Sequence, residues 1–294
     1  MTDAIGSTYL ERLAARTAVA RTVLCLGIDP DPALLPAGFR ADLGGVERFV
    51  ELLLDAALPH VAAVKPNLAF FEAFGADGLA ALERLRLRIP SDVPVVVDAK
   101  RGDIGSTAAR QAVALYDRLG ADAITVSPYL GSEAIAPLLD RPERFAYVLC
   151  RTSNPGAGEL QDLQIVADLE SEWPSEPLYV RVARRVSLWS ERYGTAGLVV
   201  GATAPEEMAV LRSVAPELAF LVPGIGAQGG DLDATLSSGP ATAGAAGGRP
   251  GGGLLVNISR GVAGAAKAAA DPAAAVATAA AGWAARLPVL QSLP

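Results

Sequence analysis

The chain has 294 residues, and its 25 Lys and Arg stand against 32 Asp and Glu, a formal net charge of -7. That length is ample for one large core, and the acidic balance repels nucleic acid and anionic membrane alike, which excludes nonspecific binding to either. Hydrophobic residues make up 51% of the chain and charged ones 19%, a balance that excludes disorder throughout.

The first residues, MTDAIGSTYLERLAAR, are acidic and then amphipathic, which predicts an N-terminal helical extension over residues 1–21. This start lacks the basic segment and continuous apolar stretch of a secretory signal, and no run of 18 apolar residues follows that could span a bilayer. The expected location is cytoplasmic.

From there a short, β-branched apolar run alternates with a stretch of helical spacing. The strand candidates are Thr22–Ile28, His60–Val64, Val93–Val97, Ala123–Val126, Phe145–Cys150, Gly197–Val200, Ala219–Val222 and Leu254–Ile258. Helical stretches include Val46–Leu58, Gly78–Leu87, Ser106–Leu119 and Glu176–Tyr193. Nearly continuous apolar strands are what a parallel sheet buried on both faces requires. Eight such units in a chain of this length predict a single-domain (β/α)8 TIM barrel. An open doubly wound sheet would expect a dinucleotide turn after the first strand, where this chain has GIDPDPALLP instead of G-x-G-x-x-G.

The strand exits carry polar residues: Asp29, then Lys65 and Asn67, Asp98 and Lys100, Ser127, Arg151 and Ser153, Pro223-Gly224, and finally Asn257, Ser259 and Arg260. In a barrel all of these open on one face, where such folds build their sites. Two loops stand out. Thr152–Pro174 follows the fifth strand on that face and is a lid candidate. Ser237–Gly253, SSGPATAGAAGGRPGGG, has little to bury and is expected to be a mobile loop on the opposite face, without function.

Cys25 and Cys150 both sit in apolar runs and read as buried, reduced core thiols. With one histidine and two separated cysteines, the usual zinc clusters cannot be built. His60, at the start of an apolar run, reads as a structural residue.

The segment Val95–Thr107, VVVDAKRGDIGST, carries the chemistry. If strand geometry persists, Asp98 and Lys100 point the same way, and Asp103 follows on the turn into the next helix. An ammonium flanked by carboxylates stays protonated at neutral pH, which makes it a proton donor and a poor Schiff-base nucleophile. The same spacing also suits a surface ion-pair network.

The run Asp98-Ala99-Lys100-Arg101-Gly102-Asp103-Ile104 resembles the D-x-K-x-x-D-I signature of orotidine 5′-phosphate decarboxylases. LCLGIDPDP around Asp29, VKPNLAFFE around Lys65, RTSNPGAGELQDL around Ser153, VPGIGAQGGD around Gln228 and NISRG at Arg260 resemble the same family in the same order. The KPNLAFFE and SNPGAGELQDL forms resemble its longer bacterial branch, type 2.

The resemblance implies a (β/α)8 barrel that removes CO2 from orotidine 5′-phosphate to give uridylate, the last step of pyrimidine nucleotide synthesis. It implies no metal and no organic cofactor, and a homodimer in which Asp103 and Thr107 reach the neighbouring site. Lys100 would stabilise charge at C6 and deliver the proton, held by Asp98 and Asp103. Lys65 would complete an alternating charge chain and, with Asp29, fix the ribose hydroxyls, although Asp29 before Pro30 also suits a plain turn. Ser153 would bond the pyrimidine. Gly224, Gly226, Gly229 and Gly230 around Gln228 let backbone N–H groups approach a phosphate, and Arg260, where the eighth strand enters a helix, adds a guanidinium. Ser127, Arg151 and Asn154 receive no role. The competing readings are a magnesium-dependent sugar-phosphate decarboxylase or aldolase on the same barrel, and a barrel that binds a nucleotide without turning it over.

Overall fold

The computed structural model describes residues 7–167, 173–226 and 228–289. Thr8 opens the first helix with a capping box, its side chain accepting from Glu11 N while the Glu11 carboxylate returns to the Thr8 amide. That helix, α1, is Tyr9–Ala20. Then β1 (Leu24–Ile28), α2 (Leu43–Ala57), β2 (Ala63–Pro66), α3 (Gly75–Arg88), β3 (Val96–Arg101) and α4 (Gly105–Ala112) follow, the last winding on through a π-helical stretch, Val113–Arg118. Next come β4 (Ala123–Val126), α5 (Ser132–Leu139), β5 (Phe145–Arg151), α6 (Leu178–Tyr193), β6 (Ala196–Val200), α7 (Pro205–Val214), β7 (Phe220–Val222), α8 (Leu232–Ser238), β8 (Leu255–Ile258) and α9 (Pro272–Arg286).

The strands form one 8-stranded parallel sheet in the order β2-β1-β8-β7-β6-β5-β4-β3. Its two ends meet through single parallel bridges, Val64 to Val95 and Asn67 to Asp98, which close the sheet into a (β/α)8 TIM barrel and set aside the open doubly wound alternative. Among the described residues no helix is long and apolar enough to cross a membrane.

Strand alternation splits the core. Leu24, Leu26 and Ile28 face outward onto helices, against residues such as Val50 and Leu54. Cys25, Ala63, Val96, Ala123, Phe145, Tyr147, Val199, Leu221 and Leu255 face the barrel axis and fill its lower half. Tyr9, Leu10 and Leu13 of α1 plug the mouth beneath them, with the Tyr9 ring stacked on Phe145 at 5.0 Å. Arg12 ties the plug down by an ion pair of 2.5 Å to Asp122, a buried residue at the start of β4. Both cysteines are free and buried, and burial pushes the Cys25 thiol up to about 12.

Three sequence expectations differ from the structure. Strand β3 extends to Arg101, so Asp98 and Lys100 lie within it. His60 is not in a strand: it ends a 3₁₀ turn on the outer surface, beside Arg48 and Asp55. The Ser237–Gly253 run, expected to be a mobile loop, is folded. Its first residues finish α8, Gly244–Gly247 and Pro250–Gly253 make short helical turns, and Ala246 and Gly251–Gly253 are buried. The buried guanidinium of Arg212 donates to Ser238 O and Gly239 O, pinning the run's start to α7. A Cβ on Gly251 would lie 2.9 Å from Thr17 of α1. Small residues pack here by bringing backbone close, a burial that composition alone does not register. The run does lie on the lower face, as expected, because it leads into the start of β8.

Candidate active site

Strand parity that puts apolar side chains low in the barrel puts polar ones at its upper end. On β2, Ala63 is followed two residues later by Lys65, and on β3, Val96 by Asp98. The closure of β2 on β3 brings these together, and Lys65 Nζ lies 2.7 Å from Asp98 Oδ2. Lys100 Nζ takes the other oxygen, Oδ1, at 2.6 Å. Burial pushes the Asp98 carboxyl up, but the Lys65 and Lys100 charges and hydrogen bonds outweigh it and hold the group far below the usual carboxylate range. Desolvation likewise lowers Lys65, and Asp98 and Asp29 more than offset it, so its ammonium is held above the ordinary value.

Lys100 meets Asp98 across a stretch of β3 that is not a regular strand. The β3–β4 register slips between Val97 and Arg101, and Lys100 has φ 46°, in the left-handed region. The Thr125 hydroxyl of β4 sits inside this irregularity. It donates to Asp98 Oδ1 at 2.9 Å and accepts from the Ala99 and Lys100 amides at 3.1 and 2.9 Å.

These groups line a cavity of about 540 Å³. Asp29 lines it too, with Asn67 Nδ2 donating to its Oδ1 at 2.9 Å. A Cβ on Gly27 would come within 2.8 Å of Asn257 Oδ1, so glycine there leaves room for the inward residues of β8. Elsewhere in its lining, the Ser153 hydroxyl donates to Gln228 Oε1 at 3.3 Å. Gly224, Gly226 and Gly229 all have positive φ and turn this loop tightly, with Gly230 N donating to Gly224 O. Gly224 and Gln228 line the cavity; Gly226 turns the chain and packs near the Trp283 ring instead. Arg260 also lines the cavity, at the start of a single helical turn, Arg260–Ala263, and its guanidinium forms no ion pair with any described residue.

Asp103 and Thr107 stand apart. Asp103 Oδ1 accepts from Ile104 N at 2.7 Å, Thr107 is exposed on α4, and neither lines this chain's cavity. Within this single chain, Asp98 is the expected aspartate that holds the Lys100 ammonium. Of the residues left without a role, Ser127 contributes its backbone, N to Arg101 O at 2.7 Å. Arg151 pairs with Glu207 and Asp162 below the loop after β5. Asn154 lines the cavity and accepts from Thr152 Oγ1 at 2.7 Å.

A sequence profile of the orotidine 5′-phosphate decarboxylase / HUMPS family matches residues 22–278. The chain belongs to this family.

Within the family, the orotidine 5′-phosphate decarboxylase of Thermomicrobium roseum is 45% identical over 255 residues, 87% of this chain and 86% of that one. The solved OMP decarboxylase of Leishmania donovani superposes with a TM-score of 0.75 at 40% identity, covering 92% of this chain and 94% of its own. The solved UMP synthase of the same organism matches with a TM-score of 0.77 at 41% identity, over 93% of this chain but 55% of that longer one.

Two residues beyond those expected from the sequence, Thr125 and Gln161, line the cavity of this family member. Thr125 shares the parity of Ala123, which faces the axis, and so points into the barrel one turn of the alternation before the strand exit. Gln161, in the one-turn helix Gly158–Gln161, grips Thr152 twice, Oε1 accepting from the amide at 2.9 Å and Nε2 donating to Oγ1 at 2.8 Å. No local pattern marks that tie, which joins two arms of one loop. The lid candidate Thr152–Pro174 supplies Thr152, Ser153, Asn154 and Gln161 to the cavity, while residues 168–172 lie outside the described ones.

Proposed function

We propose that this chain is an orotidine 5′-phosphate decarboxylase that turns orotidylate into uridylate and CO2 without metal or organic cofactor, in pyrimidine nucleotide synthesis. The observation that carries the reading is Lys100 paired to Asp98 in a cavity that Arg260 also lines, in a member of this family.

Breaking the C6–carboxylate bond leaves an electron pair on C6 in the plane of the pyrimidine, where the ring cannot delocalise it. The protein must then stabilise the charge electrostatically. The Lys100 ammonium faces the developing charge and transfers one proton to C6 as CO2 departs, and it regains a proton from solvent. Asp98 holds the ammonium in place, and Lys65 keeps Asp98 ionised. Both Asp98 oxygens accept from ammonium groups, Oδ2 from Lys65 and Oδ1 from Lys100. Asp29, steadied by Asn67, takes ribose hydroxyls, Ser153 takes the pyrimidine edge, and Gln228 with Arg260 takes the phosphate. Phosphate binding far from C6 accelerates the reaction only through positioning and closure.

The working unit is a homodimer. Asp103 and Thr107 sit on the rim outside their own cavity, with the exposed apolar residues Ile104, Tyr129 and Leu130 on the adjoining loops. Covering these would deliver Asp103 and Thr107 to the neighbouring site. Free, buried thiols suit the reducing cytoplasm.

The test follows orotidylate by ultraviolet absorbance in EDTA, beside Lys100→Ala. EDTA-insensitive formation of uridylate, abolished in the variant, is expected. No turnover by a folded protein would sink the assignment, and turnover of sugar phosphates that depends on magnesium would replace it.

A further inference from the structure

Strand β3 does not pair evenly with β4. Val96 and Val97 stand opposite Ala123 and Ile124, and the next paired residue of β3 is Arg101, opposite Val126. Asp98, Ala99 and Lys100 therefore lie against Thr125 alone. In a regular ladder their amides would find backbone carbonyls. Here the amides of Ala99 and Lys100 both donate to Thr125 Oγ1, at 3.1 and 2.9 Å. A hydroxyl accepts two hydrogen bonds and donates one. Amide nitrogens only donate, so both acceptor positions are filled and the single proton goes to Asp98 Oδ1, 2.9 Å away.

Thr125 thus holds Lys100 at two points: its amide directly and its ammonium through Asp98, which accepts from Lys100 Nζ on the same oxygen. The backbone needs this support. Lys100 has φ 46°, and a side-chain-bearing residue persists in the left-handed region only where its surroundings over-determine it. Thr125 is itself buried at 2% exposure, so its rotamer is set by packing.

We propose that Thr125 is a positioning residue for decarboxylation, holding Lys100 in its left-handed conformation and aiming Asp98 at its ammonium. This rests on the reading of Lys100 as proton donor. Threonine is suited to the place because its methyl packs while its hydroxyl saturates three partners. Valine has the same shape and satisfies none of them.

The experiment measures kcat and KM for orotidylate in Thr125→Val, Thr125→Ser, Thr125→Cys and Lys100→Ala, with uridylate affinity and thermal melting alongside. In Thr125→Val, kcat should fall on the order of 10²-fold, the cost of misplacing a reacting group by about an ångström, while uridylate affinity stays near wild type. Thr125→Ser should restore most of kcat. A purely structural role predicts the reverse pattern, with a lowered melting point and an unchanged kcat in the folded fraction. Wild-type kcat in Thr125→Val, or a serine variant as slow as the valine one, would overturn the proposal. If the valine variant does not fold, the cysteine variant decides, because its thiol is a weak partner of similar size: it should be as slow as expected for valine, and equality with serine would overturn the proposal. Full activity of Lys100→Ala would instead overturn the underlying reading of Lys100, whatever the Thr125 variants do.

Discussion

Lys65 and Asp98 form an ion pair of 2.7 Å across the seam where β2 closes on β3. The side chains are 5% and 13% exposed, and each offsets much of the other's desolvation, with Lys100 and Asp29 adding to it. The seam that closes the barrel is therefore also where the site's charges are set.

Replacing Asp98 by Asn leaves two ammonium groups without their shared counter-charge. Breaking a buried pair of this kind costs about 3–5 kcal/mol of stability, and kcat should drop roughly 10²–10³-fold or more. The pH dependence follows from the direction of the shift. The Asp98 carboxyl lies far below its unfolded value, so the native state binds fewer protons than the unfolded chain. Its stabilisation is complete above the unfolded value of about 3.9 and is lost as the pH falls toward the native one. Urea denaturation of both proteins at a series of pH values checks this: the stability gap should be constant near neutrality and narrow below about pH 4.

Arg260 tests the phosphate end. A charge-assisted hydrogen bond contributes about 1.5–3 kcal/mol, so Arg260→Ala should lower kcat/KM for orotidylate by roughly 10–100-fold. The same change should leave the slow turnover of orotidine, which lacks the phosphate, unaltered. Equal losses on both substrates would place Arg260 elsewhere in the mechanism.

Mixing inactive variants tests the shared site. In a dimer of Lys100→Ala with Asp103→Ala, one site combines an intact Lys100 with an intact Asp103 from the other subunit. After unfolding and co-refolding in equal amounts, roughly a quarter of wild-type activity should return, given random pairing. If each chain carries a complete site, mixing restores nothing, and sedimentation would then show whether a dimer forms at all.

The buried glycine run makes a prediction about stability alone. Gly251 has φ 77°, and a Cβ there meets Thr17 Cγ2 at 2.9 Å and Val23 Cγ1 at 3.1 Å. Gly251→Ala should destabilise the protein by about 1–3 kcal/mol through strain and overpacking. Because the run lies under the barrel and the cavity opens above it, kcat should be unchanged. Thermal melting beside a turnover assay separates the two. No change in melting would mean that α1 and this run are not packed together in solution.

Much of this molecule could be read from residues a few positions apart. Apolar strands alternating with amphipathic helices specify the barrel, because burial on both faces is a local property of each run. Polar residues at the strand exits point to the catalytic mouth for the same reason: parity carries Asp29, Lys65 and Asp98 upward on the faces that hold Cys25, Ala63 and Val96 below. Other features required the tertiary structure. The slip between β3 and β4, the left-handed Lys100 and the hydroxyl of Thr125 that satisfies it are properties of register between strands, and register is decided by packing across the sheet. The burial of Gly251–Gly253 likewise depends on α1 arriving from the far end of the chain, since small residues gain a core only when another element closes over their backbone. Asp103 carries the family signature in sequence, but its position on the rim, outside its own cavity, is set by how the turn after β3 leaves the barrel.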